Sequence, residues 1–122
     1  MNDDLVSIVI LNYNGERFLE ECIDSIKNLT NENFEIVVVD NASPDNSGRK
    51  IAAKYLDCKF ILNEKNVGVP EGLNIGIKNS SGKYIVLMNN DVKVTTGWLK
   101  NFFNAYHEYG IGLYQPKFLK MK

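Results

Sequence analysis

Three short polar clusters carry the groups able to do chemistry: Asn12-Tyr13-Asn14, Asp40-Asn41 and Asn89-Asn90-Asp91. Each follows a largely aliphatic run, Val6 to Leu11, Glu35 to Val39 and Tyr84 to Met88 respectively. An ionised carboxylate accepts hydrogen bonds and donates none, so Asp40 suits an imide or amide N–H of a nucleobase. Tyr13 offers a flat face for the same ring. Asp91 is the candidate ligand for a hard divalent cation, which prefers oxygen donors and completes its shell with waters and a nucleotide's phosphates. One carboxylate is a weak metal site, and Asn89 and Asn90 are neutral, so metal and nucleotide are expected to bind together. Taken singly, Asn and Asp at these places also serve as turn formers and helix caps. Three such clusters on neighbouring strands point to a polar ligand.

The elements that must position these groups are legible from the hydrophobic pattern. Aliphatic runs alternate with segments of helical period, the signature of parallel strands joined by helical crossovers, so the expected fold is α/β, an open and mostly parallel sheet with helices on both faces. In such a sheet the carboxyl ends of the strands share one side, and ligands bind in the crevice outside them. Val6 to Leu11 reads as a strand buried on both faces. A helix is expected from about Glu16 to Lys27 with Asn14 as its cap, carrying the apolar stripe Phe18, Leu19, Cys22, Ile23 and Ile26. After the strand Glu35 to Val39, Ser43 and Pro44 are expected to open a helix reaching Tyr55. Cys58 to Leu62 reads as a third strand, Asn63 to Gly68 as a polar loop, Pro70 to Asn79 as a helix and Tyr84 to Met88 as a fourth strand. Thr95 or Thr96 is expected to cap a helix bearing Trp98, Leu99, Phe102, Phe103 and Tyr106, and Ile111 to Tyr114 to begin another strand.

Composition narrows the function classes. The chain has 122 residues, 44% of them hydrophobic, with 14 basic and 15 acidic side chains and a formal net charge of −1. Such a balance gives no electrostatic footprint for nucleic acid. Lys117, Lys120 and Lys122 crowd the last residues, read as a solvated tail rather than a membrane contact. No apolar run approaches the length of a membrane span, and Met1-Asn2-Asp3-Asp4 lacks the basic flank of a signal peptide, so the expected location is the cytoplasm. The inner face of the membrane would be reached only through segments beyond this chain. Cys22 and Cys58 form no Cys-x-x-Cys pattern, and Cys22 reads as core.

Four stretches in order and spacing make the sequence resemble the family 2 glycosyltransferases, which have the Rossmann-like GT-A nucleotide-sugar-binding fold. They are Ser7 to Asn14, Glu35 to Ser43 with Asp45 and Ser47, Asn63 to Gly68 leading to Gly72-Leu73-Asn74-Ile75-Gly76, and Gly82 to Asp91. The resemblance implies a transferase that moves a sugar from a nucleotide-diphospho-sugar to an acceptor hydroxyl with inversion. By the same resemblance Tyr13 lies against the base and Asp40 accepts its ring N–H, while Asn12, Asn14 and Asn41 line that end of the site. Asn66 and Asn74 fall where the family's loop and following helix approach the donor. Asn90 and Asp91 belong to the diphosphate end, and Asp91 matches the last acid of the family's Asp-x-Asp metal signature. Asn89 replaces the first acid. The implied cofactor is Mn or Mg, and the implied acceptor is a glycan, a lipid-linked sugar or a polysaccharide precursor.

The family's general base is an acid downstream of the metal motif, on the acceptor-binding half. After Asp91 the only acidic residue is Glu108, on an amphipathic helical stripe beside His107, and neither matches that base. Residues 1–122 are therefore expected to be the donor- and metal-binding half of a GT-A domain, with the acceptor half absent, since whole domains of this kind need on the order of 200 residues. Asp40 would serve uracil, thymine or guanine. Three alternatives compete. A receiver-like signalling module needs acids just after the first strand, where Asn12-Tyr13-Asn14 stands instead. A dinucleotide-dependent oxidoreductase needs Gly-x-Gly-x-x-Gly there, which is missing. A non-enzymatic nucleotide-binding or scaffold protein of the same fold stays open, because a missing base cannot be told from a truncated one.

Overall fold

The computed structural model describes residues 5–109 and 119–120. Strand β1 (Val6–Asn12) is followed by α1 (Leu19–Leu29), β2 (Phe34–Asp40), α2 (Ser47–Ala52), β3 (Lys59–Leu62), α3 (Val69–Lys78) and β4 (Tyr84–Asn89). Then come a short β5 (Val92–Lys93), α4 (Trp98–Tyr109) and β6 (Leu119–Lys120). The main sheet has the order β3-β2-β1-β4 and all its pairings are parallel. Antiparallel β5 and β6 form a separate ribbon. The chain leaves β1 in one direction to build β2 and β3, then returns across the sheet to add β4 on the other side. The reversal at β1 opens a crevice at the carboxyl ends of β1, β2 and β4.

Burial explains why these runs are strands at the centre. Val6 to Ile10 in β1 and Ile36 to Val39 in β2 are buried on both faces, as a parallel sheet covered by helices requires. One face packs Ile8, Ile10, Val38, Val86 and Met88 against Leu19, Cys22, Ile23 and Ile26 of α1 and Ile51 of α2, with Trp98 and Leu99 of α4 in the same core. Trp98 donates its indole N–H to the Thr30 hydroxyl at 2.8 Å. The other face takes α3, whose backbone lies unusually close because its sheet-facing positions lack side chains. A Cβ on Gly76 would sit 2.4 Å from Val9 Cγ1, and one on Gly72 would sit 2.6 Å from Leu11 Cδ1. On β4 only one face is covered: Val86 and Met88 are buried, whereas Ile85 and Leu87 are exposed among the described residues.

Several local expectations need correction. Asn14 does not cap α1; it takes a left-handed φ of 51°, and the helix begins at Leu19 after a turn in which Phe18 and Leu19 both donate to the Gly15 carbonyl. Ser43 does not cap α2, because its hydroxyl is committed to Asp40, and a turn through Asn46 delays the helix to Ser47. That helix stops at Ala52 and continues toward Tyr55 only as turns. β5 has no precedent in the hydrophobic pattern, since two residues carry no period. The expected strand from Ile111 to Tyr114 lies outside the described residues, as do Lys117 and Lys122.

Candidate functional site

Register brings the polar clusters level. Asn12 pairs with Asp40 across β1 and β2, and Leu11 pairs with Asn89 across β1 and β4, so all three strands end together. Asn12 is the hub between them. Its Nδ2 donates to Asp40 Oδ1 at 2.8 Å and to the Ser47 hydroxyl at 2.9 Å, with a longer contact of 3.4 Å to Ser43 Oγ. Its Oδ1 accepts from Asn90 Nδ2 at 2.9 Å. The side chain has no exposed surface, so it lies beneath the site rather than lining it. Reversing its amide would put oxygen against a carboxylate and nitrogen against an amide donor, so its orientation is fixed by its partners.

Asp40 is 6% exposed and nearly spent. Oδ1 accepts from Asn12 and from Ser43 Oγ at 2.6 Å, and Oδ2 accepts the Ser43 backbone N–H at 3.2 Å. Gly48 of α2 closes over the Oδ1 side, where a Cβ would come within 2.4 Å of the Asp40 carboxyl carbon. The remaining side borders a cleft of about 310 Å³, lined also by Ala42, Asn46, Arg49, Asn63 and Glu64. That size is at the lower end for ligand pockets and suits one ring rather than a whole nucleotide-sugar.

The other expected residues divide into supports and surfaces. Asn41 is buried, donates to the Gly68 carbonyl at 3.1 Å and accepts from Asn63 Nδ2 at 3.0 Å and from the Val67 N–H, tying the loop before α3 to the end of β2. Asn14 is exposed and accepts the Asp45 N–H at 3.2 Å, while its own N–H donates to Ser43 Oγ, so it binds the first loop to the second. Asp45 in turn accepts the Glu16 and Ser47 N–H groups. Burial resists ionisation of this carboxyl, but Ser47 and Glu16 outweigh it and hold its pKa below the usual value. Asn66 closes a turn on the Gly68 N–H and is exposed. Asn74 stands apart. It is two residues from both Gly72 and Gly76, which puts it on the side of α3 turned from the sheet, and it is exposed.

Tyr13 is 47% exposed at the mouth of the crevice. Asp91 is half-buried in the turn after β4 and makes no side-chain hydrogen bond to a described residue. The turn itself is held from below. Asn90 is bound to Asn12, the Cys22 thiol approaches the Asn89 carbonyl at 3.9 Å and accepts the Val92 N–H, and Ser25 Oγ accepts the Val94 N–H. Burial, and then the Asp91 carboxylate, push the Cys22 thiol up to about 12 against that Val92 bond, so it stays a neutral core group. No cluster of three or more His, Cys, Asp and Glu able to hold a metal occurs among the described residues. Asp91 with Asn89 therefore fits a hard cation only when a diphosphate brings further oxygens.

Sequence reasoning missed Gly15, Ala42, Arg49 and Asn63 as site residues. Asn63 follows β3 directly, the same signal that singled out Asn12 and Asp40. Gly15 has a different reason: an added Cβ would lie 2.0 Å from Asn12 Oδ1 and 2.3 Å from Asn90 Nδ2, so only glycine lets the two amides meet.

A polar crevice at the carboxyl ends of a parallel sheet, at the point where strand order reverses, is where open α/β proteins bind their ligands. Comparison with known proteins narrows it. The family model described as Glycosyl transferase family 2 matches residues 7–120, and the chain belongs to that family. It is 31% identical over 110 residues to glycosyltransferase GlyA of Streptococcus pneumoniae, covering 88% of this chain and 16% of that protein. S. aureus TarS superposes with a TM-score of 0.74 at 25% identity over 90% of this chain and 38% of the 1–349 fragment, which has also been solved with UDP-GlcNAc. The mannosyltransferase PcManGT of Pyrobaculum calidifontis, solved with GDP-Man and Mn2+, shares the fold at a TM-score of 0.74 and 24% identity, over 88% of this chain and 33% of that one. The chain thus spans well under half the length of these relatives. The open parallel sheet with helices on both faces is the GT-A arrangement expected from the sequence. No helix among the described residues is long and apolar enough to cross a membrane.

Proposed function

We propose that this chain is the donor-binding part of a glycosyltransferase that moves a sugar from a nucleoside diphosphate to an acceptor hydroxyl with inversion. The observation that carries this reading is one buried amide, Asn12, bonded at once to Asp40 and to Asn90 beside Asp91, so that a base site and a diphosphate site share one rigid floor. In this reading the base enters the cleft beside Asp40 with the Tyr13 ring against it, and the diphosphate runs toward Asn90 and Asp91. Asn66 borders the sugar-phosphate, while Asn12, Asn14 and Asn41 position the loops. Asn74 has no contact in this arrangement.

Asp91 would hold Mn or Mg, which when bound neutralises the charge that develops on the departing diphosphate. The chain's own residues orient the donor so that the face of the anomeric carbon opposite the diphosphate is open to the acceptor. As the acceptor oxygen bonds to that carbon, its bond to the diphosphate breaks, and the hydroxyl proton passes to a base in the acceptor-binding part of the enzyme. Work in the cytoplasm, on a glycan, lipid-linked sugar or polysaccharide precursor, follows from the same reading.

Thermal unfolding with UDP-, dTDP- and GDP-sugars, with and without manganese, tests the proposal. A ligand at a hundred times its Kd adds about 2.7 kcal/mol. A folded chain that no nucleotide-sugar stabilises would refute donor binding. Asp91→Ala is expected to remove the manganese-dependent part of the shift and to leave the ligand-free chain as stable as before. If the manganese-dependent part survives, the metal assignment is wrong.

A further inference from the structure

Resting on that reading, we infer that the base of the donor is a pyrimidine carrying an imide, uracil or thymine, and that guanine is excluded by the hydrogen bonds Asp40 has already made. A carboxylate has about four acceptor positions, two on each oxygen. On Oδ1 both are occupied, by Asn12 Nδ2 at 2.8 Å and Ser43 Oγ at 2.6 Å, and the backbone of Gly48 covers that oxygen. On Oδ2 one is occupied, by the Ser43 N–H at 3.2 Å. A single acceptor position therefore remains toward the cleft.

Guanine presents adjacent N1–H and N2–H donors, which a carboxylate satisfies by offering both oxygens. Here the second donor would face an oxygen with no lone pair left, and a buried unpaired donor carries a heavy penalty. Uracil and thymine present one N–H between two carbonyls. That pattern matches one free acceptor flanked by donors, and Arg49, Asn46 and the second N–H of Asn63 border the same cleft. Cytosine turns a lone pair, not an N–H, toward Asp40, and is disfavoured for that reason. The discrimination is set by what closes Oδ1: Asn12 and Ser43 occupy it, and Gly48 covers it.

Calorimetric titration of the full chain with UDP, dTDP, CDP and GDP in the presence of manganese decides the matter. UDP, dTDP or both are expected to bind roughly tenfold or more tightly than CDP and GDP, the ratio set by one hydrogen bond to a charged group. UDP and dTDP share the imide and differ in the 5-methyl and 2′-hydroxyl, so their ranking identifies which of the two is the donor base. In Asp40→Asn, checked for folding by its thermal transition, the UDP-over-CDP ratio is expected to collapse. GDP binding as tightly as UDP and dTDP overturns the inference while leaving donor binding intact, and loss of that GDP binding in Glu64→Gln would assign the guanine amino group to Glu64. CDP binding equal to UDP also overturns it. If no nucleotide binds to the folded chain, the donor-binding reading itself fails.

Discussion

Replacing Gly15 with alanine isolates the link between the two halves of the site. An added Cβ falls 2.0 Å from Asn12 Oδ1 and 2.3 Å from Asn90 Nδ2, in the middle of a hydrogen bond only 2.9 Å long. Contacts of this kind do not close below 3.0 Å, so the Asn12 oxygen would have to retreat by about 1 Å. Asn12 has little freedom to do so, because its amide nitrogen is held by Asp40 and Ser47 and the residue is fully buried. The Asn90 turn must move instead, leaving a buried acceptor that no water reaches. An unsatisfied buried group costs about 1–3 kcal/mol and overpacking costs a similar amount. A combined loss of about 3 kcal/mol lowers the Tm of a domain of this size by roughly 12 °C. Thermal unfolding followed by far-UV circular dichroism measures it. Asn90→Ala breaks the same bond without the clash and is expected to cost about half as much. Below its own transition, Gly15→Ala should also lose the manganese-dependent part of nucleotide binding, since Asn90 precedes Asp91. A Gly15→Ala protein as stable as the parent, or less damaged than Asn90→Ala, would refute the argument that this bond is the floor of the site.

Three further outcomes follow from the same structure. Gly76→Ala forces a methyl to within 2.4 Å of Val9 Cγ1 and is expected to destabilise by about 1–3 kcal/mol in denaturant unfolding; no change in midpoint would contradict the close seating of α3. Tyr13→Ala, at an exposed position, should leave the Tm of the free chain within a degree or so of the parent and weaken UDP binding by roughly tenfold; equal affinity would remove Tyr13 from the base site. Glu35 resists ionisation through burial, but the Ser7 hydroxyl at 2.5 Å, the Ser81 N–H at 2.6 Å and Lys59 outweigh that and hold its pKa below the ordinary value. Its contribution is present above the unfolded carboxyl pKa and is lost as pH falls through the lower folded one. Stability curves of the parent and Glu35→Gln should therefore converge in acid and separate toward neutrality; parallel curves through that range would contradict it.

Strands, helices and their order were legible because each carries a long enough period: β1 and β2 are continuous aliphatic runs, and α1 repeats its apolar stripe over three turns. The expected site residues stood out by convergence, since Asn and Asp after one aliphatic run are ordinary turn formers but three such clusters end neighbouring strands. What pattern could not distinguish was a side chain facing the ligand from one facing the next loop. Asn12 and Asn41 are as polar as Tyr13 and Asp91, yet both are buried and consumed by neighbours more than twenty residues away in sequence. Cap assignments failed for the same cause. Asn14 and Ser43 are good caps in isolation, but Asn14 is taken up by Asp45 in the opposite loop, and the Ser43 hydroxyl donates to Asp40 while accepting the Asn14 N–H. Gly15 and Gly48 could not be picked out at all, because a glycine that admits another residue's side chain looks in sequence like any turn glycine.

Ala42, on the wall of the base cleft, holds a left-handed backbone at φ 58° without being glycine. That conformation costs an alanine about 1 kcal/mol, a cost glycine would avoid in the folded chain while adding disorder to the unfolded one. The two effects nearly cancel in overall stability, so Ala42→Gly would pass unnoticed in a melting curve. Its consequence would be felt in shape: removing one methyl would widen the cleft beside the free oxygen of Asp40. The width of this cleft is thus adjustable at a position whose substitution leaves the protein as robust as before, a route by which its shape can drift without the fold registering the change.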